Sequence, residues 1–115
     1  MRNMSFSLTT EQVRNRTKTV TRRFGWSFLK PGDVLQPVVK SMGLKKGQKA
    51  ERIGGPIRIV GLRRERLCSI TDADCSREGF PEFTAQQFVD MLCEHYGCSS
   101  ARQINRIEFE YLDAP

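Results

Sequence analysis

The chain has 115 residues, of which 38% are hydrophobic and 28% charged, as expected for one folded domain and unlike a disordered chain. Lysine and arginine outnumber aspartate and glutamate by 19 to 13, and the net charge of +6 favours an anionic partner such as nucleic acid. The alternative is that the charge serves solubility alone. No apolar run could span a bilayer and no signal peptide opens the chain, so we expect a cytoplasmic protein without a membrane partner.

The first part of the chain predicts a strand, a short helix and a second strand. Residues 5 to 9, "SFSLT", favour a strand, after which Thr9 or Thr10 can cap a helix that ends near Arg16. The β-branched stretch "TKTVTRRF" then predicts a strand.

A turn and a further strand follow. In "LKPGDVL", Pro31 presets φ, Gly32 accepts a positive φ and Asp33 can bond to nearby backbone. The stretch "DVLQPVVKSM" is strand-like, and Pro37 within it favours an edge strand or a bulge. Residues 41 to 55 are rich in glycine and basic residues and predict a loop insertion.

The second half alternates a strand with helices. "PIRIVGLRRERLCSI" resumes strand character, and Thr71 with Asp74 predicts a short helix that Gly79 ends. Thr84 opens the longest predicted helix, which Gly97 ends, and "INRIEFEYL" alternates as a final strand. Because turns rather than long helices separate most strands, we expect an α+β domain over residues 1–115. It would be a small barrel of five or six mixed or antiparallel strands with about three short helices.

Several familiar chemistries are absent. The sequence has no phosphate-binding glycine loop and no nucleophile-elbow motif, and its four cysteines are not spaced as in zinc ribbons or fingers. Cys93, His95 and Cys98 lie close together, but we expect free thiols there, with no metal and no cofactor. Asp72 and Asp74 are expected to stabilise a helix N-terminus.

Clustered basic residues are the main functional signal. Cations neutralise phosphates and an aromatic ring can stack a base, although core packing is as good an explanation for Trp26. The candidate nucleic-acid contacts are Arg16, Lys18, Arg22, Arg23 and Trp26 in the first strip, and Lys45, Lys46 and Lys49 in the loop.

A lysine can also act in catalysis. Neighbouring cations and burial lower the pKa of a lysine, so Lys18 is a candidate base for activating the Thr21 hydroxyl. Residues three apart in a regular strand point to opposite faces, so the two can converge only if Lys18 lies at a bend before the strand.

The order of these segments resembles the ASCH domain, a small β-barrel related to PUA domains, including small bacterial or phage proteins. The resemblance rests on "RTKTVTRR", "KPGDVL", "PIRIVGLRRERLCSITDADCSREGF", "FTAQQFVDMLCEHYG" and "INRIEFEYL". It implies a cleft for RNA, single-stranded nucleic acid or a modified nucleoside. One branch consists of N4-acetylcytidine amidohydrolases, and another is reported as a ribonuclease.

For the amidohydrolase branch, the resemblance implies a catalytic set of Lys18, Thr21 and Glu78. Arg22 replaces an apolar residue of that branch and the loop at 41 to 55 is additional, so both enlarge the positive surface. Three functions stay open at this point: a nucleic-acid-binding module, a hydrolase of acylated nucleosides or a ribonuclease, and an adaptor for another protein.

Overall fold

A computed structural model describes residues 1–112. Five strands and three α-helices make up its regular structure: β1 Arg2–Ser5, α1 Thr10–Arg14, β2 Val20–Arg23, β3 Val34–Val38, β4 Ile57–Arg66, α2 Asp72–Arg77, α3 Ala85–Tyr96 and β5 Gln103–Tyr111. Two short 3₁₀ turns precede α1 and α2. The predicted α+β class is therefore confirmed, with five strands rather than six.

The five strands form one mixed sheet in the order β1-β3-β4-β5-β2. β1 pairs with β3 in parallel, and the other pairs are antiparallel. The sheet is not closed into the predicted small barrel, because no strand ladder joins β1 to β2 in the described residues. The two edges nevertheless come together: the Arg23 side chain of β2 donates a hydrogen bond to the Ser5 carbonyl oxygen of β1 at 2.6 Å. A side-chain hydrogen bond, rather than a strand ladder, thus connects the two edges.

Two apolar clusters hold the elements. One packs inside the curled sheet and includes Met4, Phe6, Ile57 and Phe109. The other, which includes Leu67 and Phe88, packs α2 and α3 together at one side. No helix within residues 1–112 is both long and apolar enough to cross a membrane.

Local signals explain most of the element boundaries. Thr84 forms a full capping box with Gln87, and Gly97 ends α3 in the left-handed conformation, both as predicted. The Thr71 hydroxyl caps α2, also as predicted. By contrast, the predicted threonine cap of α1 is wrong, because Thr9 stands at the cap position without a side-chain hydrogen bond.

Of the two alternatives predicted from Pro37, an edge strand or a bulge, the edge strand is wrong. β3 lies between β1 and β4, with Pro37 opposite Met4 in the parallel ladder. The missing amide is tolerated because the β3–β4 ladder covers only Val34 and Leu35. Beyond it, Ile53 at the end of the loop insertion donates to the Pro37 carbonyl oxygen at 3.0 Å.

Candidate functional site

A cavity of about 310 Å³ opens where the edges of β1 and β2 approach each other. α3 and the turn after α2 form its other walls. We call it the first cavity. Its polar lining includes Lys18, Thr21, Arg23 and Glu78, and its apolar and aromatic lining includes Phe80, Phe88 and Tyr96.

Lys18 lies in the bend between α1 and β2. Strand parity makes this position the condition for Lys18 and Thr21 to share a site. Its backbone amide donates to the Gln12 carbonyl oxygen at 3.2 Å, and the Tyr111 hydroxyl donates to its carbonyl oxygen at 2.5 Å. These bonds fix the bend and direct the buried Lys18 side chain toward the turn after α2.

Glu78 caps the end of α2 and is buried beside Lys18. The Lys18 amine donates to Glu78 Oε1 at 2.6 Å and to the Glu78 carbonyl oxygen at 2.9 Å. The other carboxylate oxygen, Oε2, accepts from Arg22 Nη1 at 2.9 Å. Both carboxylate oxygens of Glu78 thus accept hydrogen bonds from cations, which fixes the orientation of the side chain.

Thr21 lines the same cavity but does not contact the Lys18 amine. Its buried hydroxyl accepts a hydrogen bond from Arg23 Nε at 3.0 Å. Within residues 1–112, no hydrogen bond joins Thr21 Oγ1 to Lys18 Nζ. The structure therefore brings the three residues of the implied catalytic set to one cavity, while the amine bonds to Glu78 and not to the threonine.

Arg22 has surroundings that the sequence does not reveal. Its side chain is 1% exposed, and its guanidinium bonds to Glu78, to Asp74 at 2.5 Å and to Glu65 at 2.9 Å. Its Nε is buried and has no hydrogen-bond partner within residues 1–112. The three ion pairs hold Glu78 in place, while the predicted contact of Arg22 with nucleic acid stays a prediction.

Asp74 joins two arginines at the centre of this network. Its Oδ1 and Oδ2 accept from Arg106 Nη2 and Nε, both at 2.8 Å, and Oδ2 also accepts from Arg22. Asp72 and Asp74 both lie in the first turn of α2, the helix N-terminus at which they are expected, and the Asp74 carboxylate also binds the two arginines. Asp74 and Arg106 are 32 residues apart in the chain, and no sequence pattern connects them.

The surroundings shift the pKa values of these groups in different directions. Burial lowers the pKa of Lys18, against the opposing effect of the Glu78 charge and hydrogen bond. Hydrogen bonds from Arg106, aided by Arg22, hold the pKa of Asp74 far below its usual range despite partial burial. Burial also raises the pKa of the Tyr111 hydroxyl to about 12, so this phenol stays protonated and keeps its bond to Lys18.

Arg23 is the cation best placed to meet an anionic ligand. It is half-buried, packs over the Phe6 ring and uses Nε and Nη2 for its bonds to Thr21 and Ser5. No carboxylate within residues 1–112 forms an ion pair with it. Burial lowers the pKa of this arginine, which reflects the cost of a charge that lacks such a partner.

A second cavity, of about 410 Å³, lies beside the first. Trp26, the tryptophan predicted either to stack a base or to pack in the core, packs against the sheet core. It also lines this cavity, and base stacking stays a prediction. Phe28, which stands 5.6 Å from Trp26 between ring centroids, lines it too.

The remaining predicted contacts lie apart from both cavities. The Arg16 guanidinium stands over the Tyr111 ring at 5.4 Å. Lys45, Lys46 and Lys49 are exposed on the loop insertion. None of these four described residues lines either cavity. The region that the structure describes also lacks any group of three histidine, cysteine or acidic side chains placed to hold a metal.

No family model and no curated protein sequence matches the chain. A solved structure does: the ASCH domain from Lactobacillus crispatus JV V101 superposes with a TM-score of 0.59 over 95% of this chain and 77% of that one, at 12% sequence identity. The chain has the fold of an ASCH domain. At this identity the likeness concerns the fold, and what the ASCH-type cleft binds has to be argued from the residues in it.

Proposed function

We propose that this ASCH-fold protein binds single-stranded nucleic acid, RNA in particular, by taking a base or nucleoside into the first cavity. The observation that carries the proposal is Arg23, a cation without a carboxylate partner in the described residues, in the wall of a cavity of about 310 Å³. That volume lies at the lower end of the range for small-molecule sites, which suits one nucleoside. The guanidinium supplies the attraction for the adjoining phosphate.

The charge distribution supports this proposal at longer range. The net charge of +6 and the three exposed lysines of the loop insertion favour encounter with a polyanion. Because phosphate neutralisation releases counterions, we expect affinity for oligonucleotides to fall steeply with salt.

The test is fluorescence anisotropy with labelled single-stranded RNA and DNA oligomers between about 50 and 200 mM salt. We expect Arg23→Ala to weaken binding roughly tenfold or more, since a charged hydrogen bond is removed. Arg64→Ala is the charge-matched control, because Arg64 is exposed on β4 and lines neither cavity. Salt-independent affinity, or an equal loss in the control, would contradict the proposal.

A second candidate is a hydrolase of acylated nucleosides. It is favoured by the meeting of Lys18, Thr21 and Glu78 in one cavity and by the lowered pKa of Lys18. In such a reaction a neutral Lys18 takes the Thr21 proton as Thr21 Oγ1 attacks the acyl carbon. The carbon–nitrogen bond then breaks, the leaving amine takes this proton from Lys18, directly or by way of Glu78, and water hydrolyses the acyl ester to restore the Thr21 hydroxyl. The amine would have to turn from Glu78 toward Thr21. A ribonuclease in the same cleft has no separate observation in its favour.

This candidate is tested by incubating the protein with N4-acetylcytidine and measuring released cytidine by chromatography. Lys18→Met should abolish release while keeping the volume of the side chain, and a thermal melt would verify that the variant folds. Wild-type release should rise with pH over a range below the ordinary lysine pKa of about 10.4. A wild-type protein that is inert toward a panel of acylated cytidines would exclude this candidate.

A further inference from the structure

The two cavities share a wall. Arg22, Arg23 and Tyr96 line both, so a ligand that fills the first cavity can extend past these side chains into the second. Arg23 offers one guanidinium nitrogen at this wall, since Nη1 has no hydrogen bond within residues 1–112 while Nε and Nη2 are in use. A negatively charged group of the ligand can accept a hydrogen bond from this nitrogen.

The second cavity is an unusual concentration of exposed aromatic surface. Phe24, Phe28 and Tyr96 are 38%, 54% and 47% exposed, respectively, and all three line it together with Trp26. Exposed apolar patches of this kind mark binding surfaces, and flat aromatic rings stack nucleic-acid bases. Arg2, whose guanidinium lies 4.9 Å from the Phe28 ring centroid, adds a further cation beside the rings.

The aromatic segment is also held in a strained shape. Trp26 has a φ of 70°, which is rare for a bulky residue, and the Leu29 amide bonds to its carbonyl oxygen at 3.1 Å. The buried Asn105 amide donates to the Gly25 carbonyl oxygen at 2.7 Å. Strain that the surrounding structure maintains is common at ligand sites, and here it fixes the rings before any ligand arrives.

We propose that the second cavity takes the neighbouring base of a single strand whose first base occupies the first cavity, with the linking phosphate at Arg23. The preferred ligand class is then a dinucleotide or longer strand rather than a free nucleoside. This inference rests on the proposed function, because it assigns the second of two adjacent subsites in the same cleft.

The chain carries its own reporter, since Trp26 is its single tryptophan and lines only the second of these two cavities. The experiment titrates wild-type protein with each ribonucleoside, its 3′-monophosphate and its homodinucleotide, measuring affinity by calorimetry and tryptophan fluorescence in parallel. We expect at least one dinucleotide to bind about tenfold tighter than its nucleoside, because stacking of one more base adds about that much affinity. Only the dinucleotide should quench the tryptophan.

Phe28→Ala should remove most of this increase for the dinucleotide and leave nucleoside affinity as it was. Val60→Ala is the control, because Val60 is 45% exposed on β4 and lines neither cavity. Nucleoside binding without tighter dinucleotide binding or quenching would overturn this inference alone. Absence of binding by every ligand, longer oligomers included, would overturn the proposed function and this inference together.

Discussion

Two basic regions of this chain look alike in sequence and differ completely in structure. Around β2, Lys18 and Arg22 are buried and bonded to carboxylates that lie 43 to 60 residues away in the chain. In the loop insertion, Lys45, Lys46 and Lys49 are exposed to solvent. A cluster of cations along a chain therefore does not indicate by itself whether their charges attract a ligand or hold the fold together. What decides between the two roles is whether the fold places acidic side chains beside the cations.

The largest expected effect comes from removing the centre of the buried region. Arg22→Met leaves the carboxylates of Glu65, Asp74 and Glu78 without a shared cation, which should cost about 3–5 kcal/mol of unfolding free energy. Urea denaturation measures the loss. Lys46→Ala is the matched change in the loop and should stay within about 0.5 kcal/mol. Equal effects of the two substitutions would contradict the distinction between the regions.

Asp74→Asn should cost somewhat less, about 2–3 kcal/mol, since Arg22 keeps two carboxylates. The substitution should also change how the unfolding free energy falls at acidic pH. The pKa of Asp74 is depressed in the folded state, so its contribution is present above the unfolded pKa of about 3.9 and is lost as the pH falls below it. Denaturation measured from neutral pH down through that range should therefore show a shallower decline in the variant. Parallel curves would disprove the role of Asp74.

Two glycines allow the packing of the regions to be compared. Gly79, beside the buried pair, and Gly47, in the loop, both have positive φ. A Cβ on Gly79 would lie 2.6 Å from the Gln12 side chain, whereas one on Gly47 meets no atom within 4 Å. Gly79→Ala should lower the unfolding free energy by about 2 kcal/mol. Gly47→Ala should lower it by about 1 kcal/mol, because only backbone strain acts there. Thermal melts of both would reveal the difference, and its absence would mean that the turn at Gly79 adjusts freely.

The smallest effect on stability should come from changing Lys45, Lys46 and Lys49 together to glutamine. We expect an unfolding free energy within about 0.5 kcal/mol of wild type, because the three side chains are exposed. If the loop binds phosphates, the slope of log affinity against log salt should become shallower by about one for each phosphate that the variant no longer neutralises. An unchanged slope would show that the loop does not touch the nucleic acid.

Prediction from the sequence succeeds where one local signal decides the outcome. The Thr84 capping box, the left-handed Gly97 and the turn at Gly32 depend on residues a few positions apart. Strand parity makes a bend at Lys18 the condition for sharing a site with Thr21, and the fold meets this condition.

Apart from the local threonine cap of α1, the predictions that fail depend on distant partners. The open sheet edges follow from how the whole sheet curls, and no pattern in β1 or β2 encodes that. Arg106 belongs to a strand whose alternation assigns it to the polar face, yet it is 8% exposed because Asp74 covers it. The roles of Lys18, Thr21 and Glu78 remain predictions until a ligand or an activity is measured.

The order of strands in the sheet has a practical consequence for finding the ligand. β1 and β2 are the two outermost strands, so the cleft between them exists only when all five strands are in place. A compound that binds there has affinity for the native state and little for partly folded ones. By mass action it raises the melting temperature, with a stabilisation of about 2.7 kcal/mol at a hundredfold excess over its dissociation constant. Thermal-shift screening of nucleotide libraries therefore suits this architecture.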